Sequence, residues 1–259
     1  MEFNGIIPRR ARHYIVQQHI MRYIFAAAFA KSKKVLDVAC GASYGSCYLA
    51  DYGAKCVVAV DISENALSYA NTHYRRDNLY FLQGDAVHLP FHDSTFDVVA
   101  SFETIEHITE YEIYLREMKR VLSPGGVFIC STPHIKYTKH PPYHVKEFYP
   151  DEFFELLENT FGTVQKYGQF ITMMTRTHDV LEITQNLENL LRRMVELVPF
   201  KRTVKNIIRR VFLPATDSQV YEITAEDIVS FKKNRVCHWE SKGVFNLVRI
   251  MIAVCKKEE

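Results

Sequence analysis

Short apolar runs at about 35–39, 56–60, 79–83, 96–101 and 126–131 alternate with stretches near 45–52, 64–75 and 109–122 whose apolar residues recur every three or four positions. Runs of five or six residues, apolar on both faces, predict buried parallel strands, and the intervening periodicity predicts helices. Strand and helix in alternation imply one parallel sheet covered by helices on both faces. Ahead of it, residues 10–31 read as an amphipathic helix, with Tyr14, Ile20, Tyr23, Ile24 and Ala27 at helical spacing. Further on, Ser123-Pro124-Gly125-Gly126 predicts a helix stop and a turn into the fifth strand. A helix at 150–160, a strand near 163–170 and a closing strand in NLVRIMIAVCKK (from Asn246) complete the pattern.

Residues 171–240 separate those last two strands. Such a length is too great for a simple hairpin connection, so the segment is expected to be an insertion with helices of its own. One is predicted at 184–198, where TQNLENLLRRMVELV has apolar residues at helical intervals. The next, KRTVKNIIRRVF at 201–212, carries Lys201, Arg202, Lys205, Arg209 and Arg210 with no acidic residue. A basic amphipathic helix can lie on an anionic membrane or meet a phosphate-bearing substrate; the solvated face of a lid or dimer helix is the plainer reading.

The densest signal runs from Val35 to Asp61, VLDVACGASYGSCYLADYGAKCVVAVD. It reads as strand, glycine-bearing turn, helix and second strand, closed by an acidic residue. Gly41 and Gly45 are expected to turn the chain tightly and let backbone approach a ligand. The amides opening the next helix suit an anionic group, and a carboxylate at the second strand's end suits a ribose diol. A dinucleotide site needs a middle glycine for its pyrophosphate, which Gly41-Ala42-Ser43-Tyr44-Gly45 lacks. Asp37 would repel pyrophosphate and favour an amino group, such as that of a methionine moiety.

Composition narrows the picture little. The chain has 259 residues, 47% hydrophobic and 24% charged, enough for one domain with an elaboration. A net charge of +2 gives no argument for nucleic acid. Six cysteines without C-x-x-C pairing read as reduced structural thiols. No apolar run reaches membrane-spanning length and no leader-like segment is evident, so a cytoplasmic location is the default expectation.

VLDVACGASYG, VVAVDIS, LQGDAVHLPFHDSTFDVVASFETIEHI and EMKRVLSPGGVFICSTP occur in the order and spacing of class I S-adenosylmethionine-dependent methyltransferases. The sequence most resembles the branch that includes ubiquinone, menaquinone and glycan-modifying enzymes, over residues 20–170 and the last strand. That resemblance implies a Rossmann-like, doubly wound, seven-stranded sheet, mostly parallel with one antiparallel strand. Residues 1–170 and 241–259 would form this domain, and 171–240 the lid, substrate-binding or oligomerisation insertion. The implied cofactor contacts are Asp37, Ala39, Gly41, Asp61, Ile62, Asp85, Ala86 and Phe102. Among them Asp37 and Gly41 would meet the methionine half, Asp61 the ribose hydroxyls, Ile62 one adenine face and Asp85 the adenine amino group. Each aspartate has a competing reading as a cap or turn residue. Arg22 and Tyr23 could reach the cofactor carboxylate from the first helix.

Chemistry in open α/β folds sits at the carboxyl ends of the strands, which points to Ser101–His107. On a helical turn there, Glu103, Glu106 and His107 would share a face. The E-x-x-E-H pattern resembles metal sites of ubiquinone-type and small-RNA methyltransferases, implying Mg²⁺ or Mn²⁺ on Glu103, Glu106, His107 and His144, with His134 and His140 as rivals for the last place. The alternative is that Glu106 and His107 bind substrate without metal, His107 acting as general base. The expected activity is O-methylation of a small-molecule or glycan acceptor bearing neighbouring hydroxyls, the glycan preference resting on a resemblance of the STP-to-HVKEF loop. A quinone or lipid-like acceptor reached at a membrane surface through 201–212, a homodimer, and a non-catalytic cofactor-binding protein stay open; an RNA acceptor is disfavoured.

Overall fold

The computed structural model describes residues 9–138, 140–170, 236–238 and 248–258. The chain divides into Met1–Ile171 with Asn234–Glu259, and Thr172–Lys233; the second unit, with the helices read at 184–198 and 201–212, lies outside the described residues.

Within the first unit the helices are α1 (Arg9–Ala30), α2 (Tyr44–Asp51), α3 (Glu64–His73), α4 (Tyr111–Val121) and α5 (Pro150–Phe161). The strands are β1 (Lys34–Val38), β2 (Cys56–Asp61), β3 (Leu79–Gln83), β4 (Phe96–Phe102), β5 (Leu122–Pro133), β6 (Val164–Phe170), β7 (Val236–His238) and β8 (Val248–Lys256). They form one sheet in the order β3-β2-β1-β4-β5-β8-β6-β7. Strands β1 to β5 pair in parallel, and β8 lies antiparallel between β5 and β6. This is the Rossmann-like mixed sheet that the family resemblance implies, its parallel part being what the strand–helix alternation predicts. An eighth, three-residue strand, β7, adds antiparallel to β6 from within the stretch assigned to the insertion.

The order runs outward from β1 to β3 and then, in the opposite direction, from β4 to β5. Right-handed crossovers therefore put α2 and α3 on one face and α4 on the other. On that second face the core is built from Tyr114, Leu115, Met118 and Val121 of α4 and Phe153, Phe154, Leu157 and Phe161 of α5, all buried against β4, β5 and β8. Reversal of the order between β1 and β4 opens a crevice at their carboxyl ends, where such sheets bind ligands.

The Ser-Pro-Gly-Gly turn departs from expectation. It lies inside β5, where the register slips between Phe96↔Leu122 and Val98↔Val127, so the tetrapeptide bulges out of a strand that has already begun. Gly126 is obligatory there because a Cβ would stand 2.8 Å from the Ser123 carbonyl and 2.9 Å from that of Asp97.

Candidate active site

Strand β1 ends in a turn with three residues in the left-handed region: Ala39 (φ 58), Gly41 (φ 54) and Ser43 (φ 59). The turn is fastened at both sides. Cys40 N–H donates to the Val60 carbonyl at 3.0 Å, and Gly41 N–H donates to Asp61 Oδ2 at 2.7 Å. Asp61 Oδ1 accepts from Ser63 N–H at 2.9 Å. Each carboxylate oxygen keeps a second lone pair, and Asp61 is only part-buried, so it still has acceptors for a diol. Ile62 beside it is 70% exposed, a bare apolar surface at the rim. Asp85 comes next along that rim, since Gly84 N–H bonds the Asp61 carbonyl at 3.1 Å. One Asp85 oxygen closes its own turn on Val87 N–H at 3.0 Å. Ala86 is half-buried against the core, and Ala39 is exposed in the turn.

Asp37 takes a different place from the one expected. It is wholly buried, accepting from Ser46 Oγ at 2.6 Å and from Tyr23 Oη at 3.1 Å on both oxygens. Burial outweighs those two donors and, helped by the Asp61 charge, raises its pKa to about 7. Asp37 thus braces the first turn of α2 from beneath rather than facing a ligand's amino group. Gly45 is also reassigned. A Cβ there would lie 2.1 Å from the Tyr23 ring, so this glycine admits Tyr23 rather than a ligand. Gly41 has open space at its Cβ position, and its positive φ is what requires glycine. The Tyr23 ring also meets Phe102, at the end of β4, edge-on at 5.0 Å.

From the same helix, Arg22 is fully buried and donates through Nη1 to Gln169 Oε1 at 2.8 Å. Its Nε and Nη2 are buried without a hydrogen-bond partner among the described residues. A buried guanidinium with spare donors suits a carboxylate.

Beyond β4 the chain enters a 3₁₀ turn, Ile105–His107. Glu106 is buried; Oε2 accepts from Thr132 Oγ1 at 3.0 Å and Oε1 has no partner among the described residues. Burial first, and the Glu103 charge second, push its carboxyl well above the ordinary range. His107 keeps some solvent access, yet desolvation pushes its pKa below the usual value, leaving it neutral at pH 7. Its Nδ1 lies 3.0 Å from the Tyr143 carbonyl. Ligand atoms of Glu106, His107 and His144 fall within 4.8 Å of one another. The loop bearing His144 is fixed there by Val145 and Lys146 N–H groups donating to the Glu106 carbonyl at 2.9 and 3.2 Å.

Glu103 drops out of the expected ligand set. The helical turn begins only after it, and a left-handed backbone (φ 55) carries its side chain to Ser131, whose Oγ donates to Oε1 at 3.1 Å. The rival histidines go elsewhere: His134 Nδ1 accepts from Lys136 N–H at 3.0 Å, and His140 pairs with Glu147. Sequence reasoning passed over Glu147, although the H-x-x-E spacing from His144 was its signal. Among the described residues, no helix is long and apolar enough to cross a membrane.

Residues 36–130 match the family described as a methyltransferase domain. A probable S-adenosylmethionine-dependent methyltransferase of Mycolicibacterium smegmatis is 33% identical over 153 residues, 56% of this chain and 58% of that one. A demethylmenaquinone methyltransferase of Staphylococcus haemolyticus is 33% identical over 122 residues, 46% of this chain and 50% of that one. The chain thus spans about half the length of the curated relatives it matches. In fold it is similar to a S-adenosylmethionine-dependent methyltransferase of Thermotoga maritima, with a TM-score of 0.60 and 14% identity, over 99% of this chain and 98% of that one.

Proposed function

We propose, from the premise that residues 36–130 are a class I S-adenosylmethionine-dependent methyltransferase domain, that this chain methylates a hydroxyl oxygen of a sugar, glycan or other small molecule with neighbouring hydroxyls. The observation that carries this reading is the convergence of Glu106, His107 and His144 just beyond the carboxyl end of β4. The residues present fit the donor. Asp61 holds free lone pairs for a ribose diol, Ile62 offers an apolar face, and Arg22 has two donor nitrogens without a partner among the described residues, suited to a carboxylate. When bound, the donor supplies an electrophilic sulfonium methyl.

On the acceptor side, positioning and proton removal are the chain's tasks. The buried Glu106 oxygen, unpartnered among the described residues, and the two imidazoles form a donor set that suits a transition cation such as Mn²⁺ better than Mg²⁺. A cation held there would supply Lewis acidity, lowering the pKa of a hydroxyl placed against it. Without one, neutral His107 accepts the hydroxyl proton as general base.

A second reading, a quinone or lipid-like acceptor, is favoured by the exposed Tyr143, Val145 and Tyr149 on the loop beside His107. Methyl transfer from labelled donor to fractionated metabolites, with Mg²⁺ or with EDTA, tests all of this. Labelled polar sugars support the first reading and labelled lipid extracts the second. Full activity in EDTA ends the cation reading, and label in no fraction leaves a binding protein without turnover.

A further inference from the structure

Two imidazoles at one site can each carry the proton on either nitrogen, and only one choice per ring leaves a lone pair for the site. His107 is settled by its neighbour. A backbone carbonyl can only accept, so Nδ1, 3.0 Å from the Tyr143 oxygen, bears the hydrogen and Nε2 is bare. His144 stands 3.2 Å through Nδ1 from Glu147 Oε1. A carboxylate also only accepts. Both His144 and Glu147 side chains are 9% exposed, so little water competes for the contact. The exposed His140 imidazole lies beside the second Glu147 oxygen.

We infer that Glu147 is a positioning residue. It fixes His144 as the Nδ1-protonated tautomer, so that His144 offers the Nε2 lone pair to the group it forms with Glu106 and His107. This deepens the cation reading given above and, for its metal arm, rests on it. Outer carboxylates of this kind set ring orientation and basicity, and their removal typically lowers metal affinity about 10–100-fold.

The test uses the full chain, ¹⁵N-labelled at histidine, with imidazole tautomers read by long-range ¹H–¹⁵N correlation and Mn²⁺ affinity by titration. Wild type is expected to show Nδ1–H on both His107 and His144. Glu147→Ala is expected to shift His144 toward the Nε2–H form and weaken Mn²⁺ about 10–100-fold. Glu147→Gln, which keeps an acceptor oxygen, is expected to restore the wild-type tautomer, with His107 unchanged throughout. A wild-type His144 protonated at Nε2 overturns the inference without any variant, as does an unaltered His144 tautomer in Glu147→Ala. If wild type binds no Mn²⁺, the cation reading falls while the tautomers still decide the role of Glu147.

Discussion

The Tyr23 ring fills the space a side chain on Gly45 would need, its Cε2 standing 2.1 Å from where that Cβ would be. The ring cannot easily withdraw, because its hydroxyl bonds both oxygens of buried Asp37 and its edge packs on Phe102. Gly45→Ala is therefore expected to cost about 1–3 kcal/mol through overpacking. Against a Tyr23→Leu background the same change should cost clearly less. Equal costs in the two backgrounds, measured by denaturant unfolding, would dissolve the pairing.

Ala39 holds φ 58 without being glycine. An L-residue there carries about 1–2 kcal/mol of steric strain, partly offset by its smaller entropy when unfolded. Ala39→Gly should raise stability by about 1 kcal/mol, seen as a higher denaturation midpoint at constant slope.

Asp61 fastens the turn through Gly41 N–H and is proposed to hold the ribose diol. Asp61→Ala should weaken S-adenosylhomocysteine binding by about 1–3 kcal/mol, the order of lost charge-assisted hydrogen bonds. Calorimetry giving wild-type affinity would remove Asp61 from the cofactor site.

Arg22 is proposed to hold the donor's carboxylate. Arg22→Met should lower affinity for S-adenosylhomocysteine by about 1.5–3 kcal/mol. Methylthioadenosine, which lacks the carboxylate, should bind variant and wild type alike. Equal losses for both ligands would make Arg22 purely structural.

Asp37 predicts a pH dependence of stability. Burial raises its carboxyl to about 7 when folded, against an ordinary 3.8 in the unfolded chain, so the folded state binds the proton more tightly. The stabilisation is complete below about pH 4, declines as pH rises, and is gone above about pH 7, with a slope no steeper than about 1.4 kcal/mol per pH unit. Asp37→Asn should lessen the fall in stability between pH 5 and 8, and an identical profile would place the titration elsewhere.

Much of this was legible because it is local. Apolar runs and the Asp61 position follow from neighbours in sequence, and the strands at 56–61 and 79–83 formed where the runs lie. What escaped depends on partners far along the chain. Gly45 looked like a ligand-approach glycine because nothing near it in sequence reports the Tyr23 ring. Asp37 looked available until its burial beneath Tyr23 and Ser46 was known. Helical spacing grouped Glu103 with Glu106, but the left-handed backbone at Glu103 breaks the helix geometry on which that grouping relied. His144 could be placed only by resemblance, since the loop contacts that bring it to Glu106 leave no periodic mark.

The Arg22–Gln169 bond spans 147 positions. At about 5–20 residues per second of synthesis, roughly 7–30 s separate the two on the ribosome. During that interval a nascent chain has laid down the turn, Asp61 and the parallel strands, while its guanidinium waits for the amide that will hold it. On the role proposed for Arg22, donor capture is tied to completion of the sixth strand, and a chain stalled before it would present a crevice whose anion-binding end is not yet set.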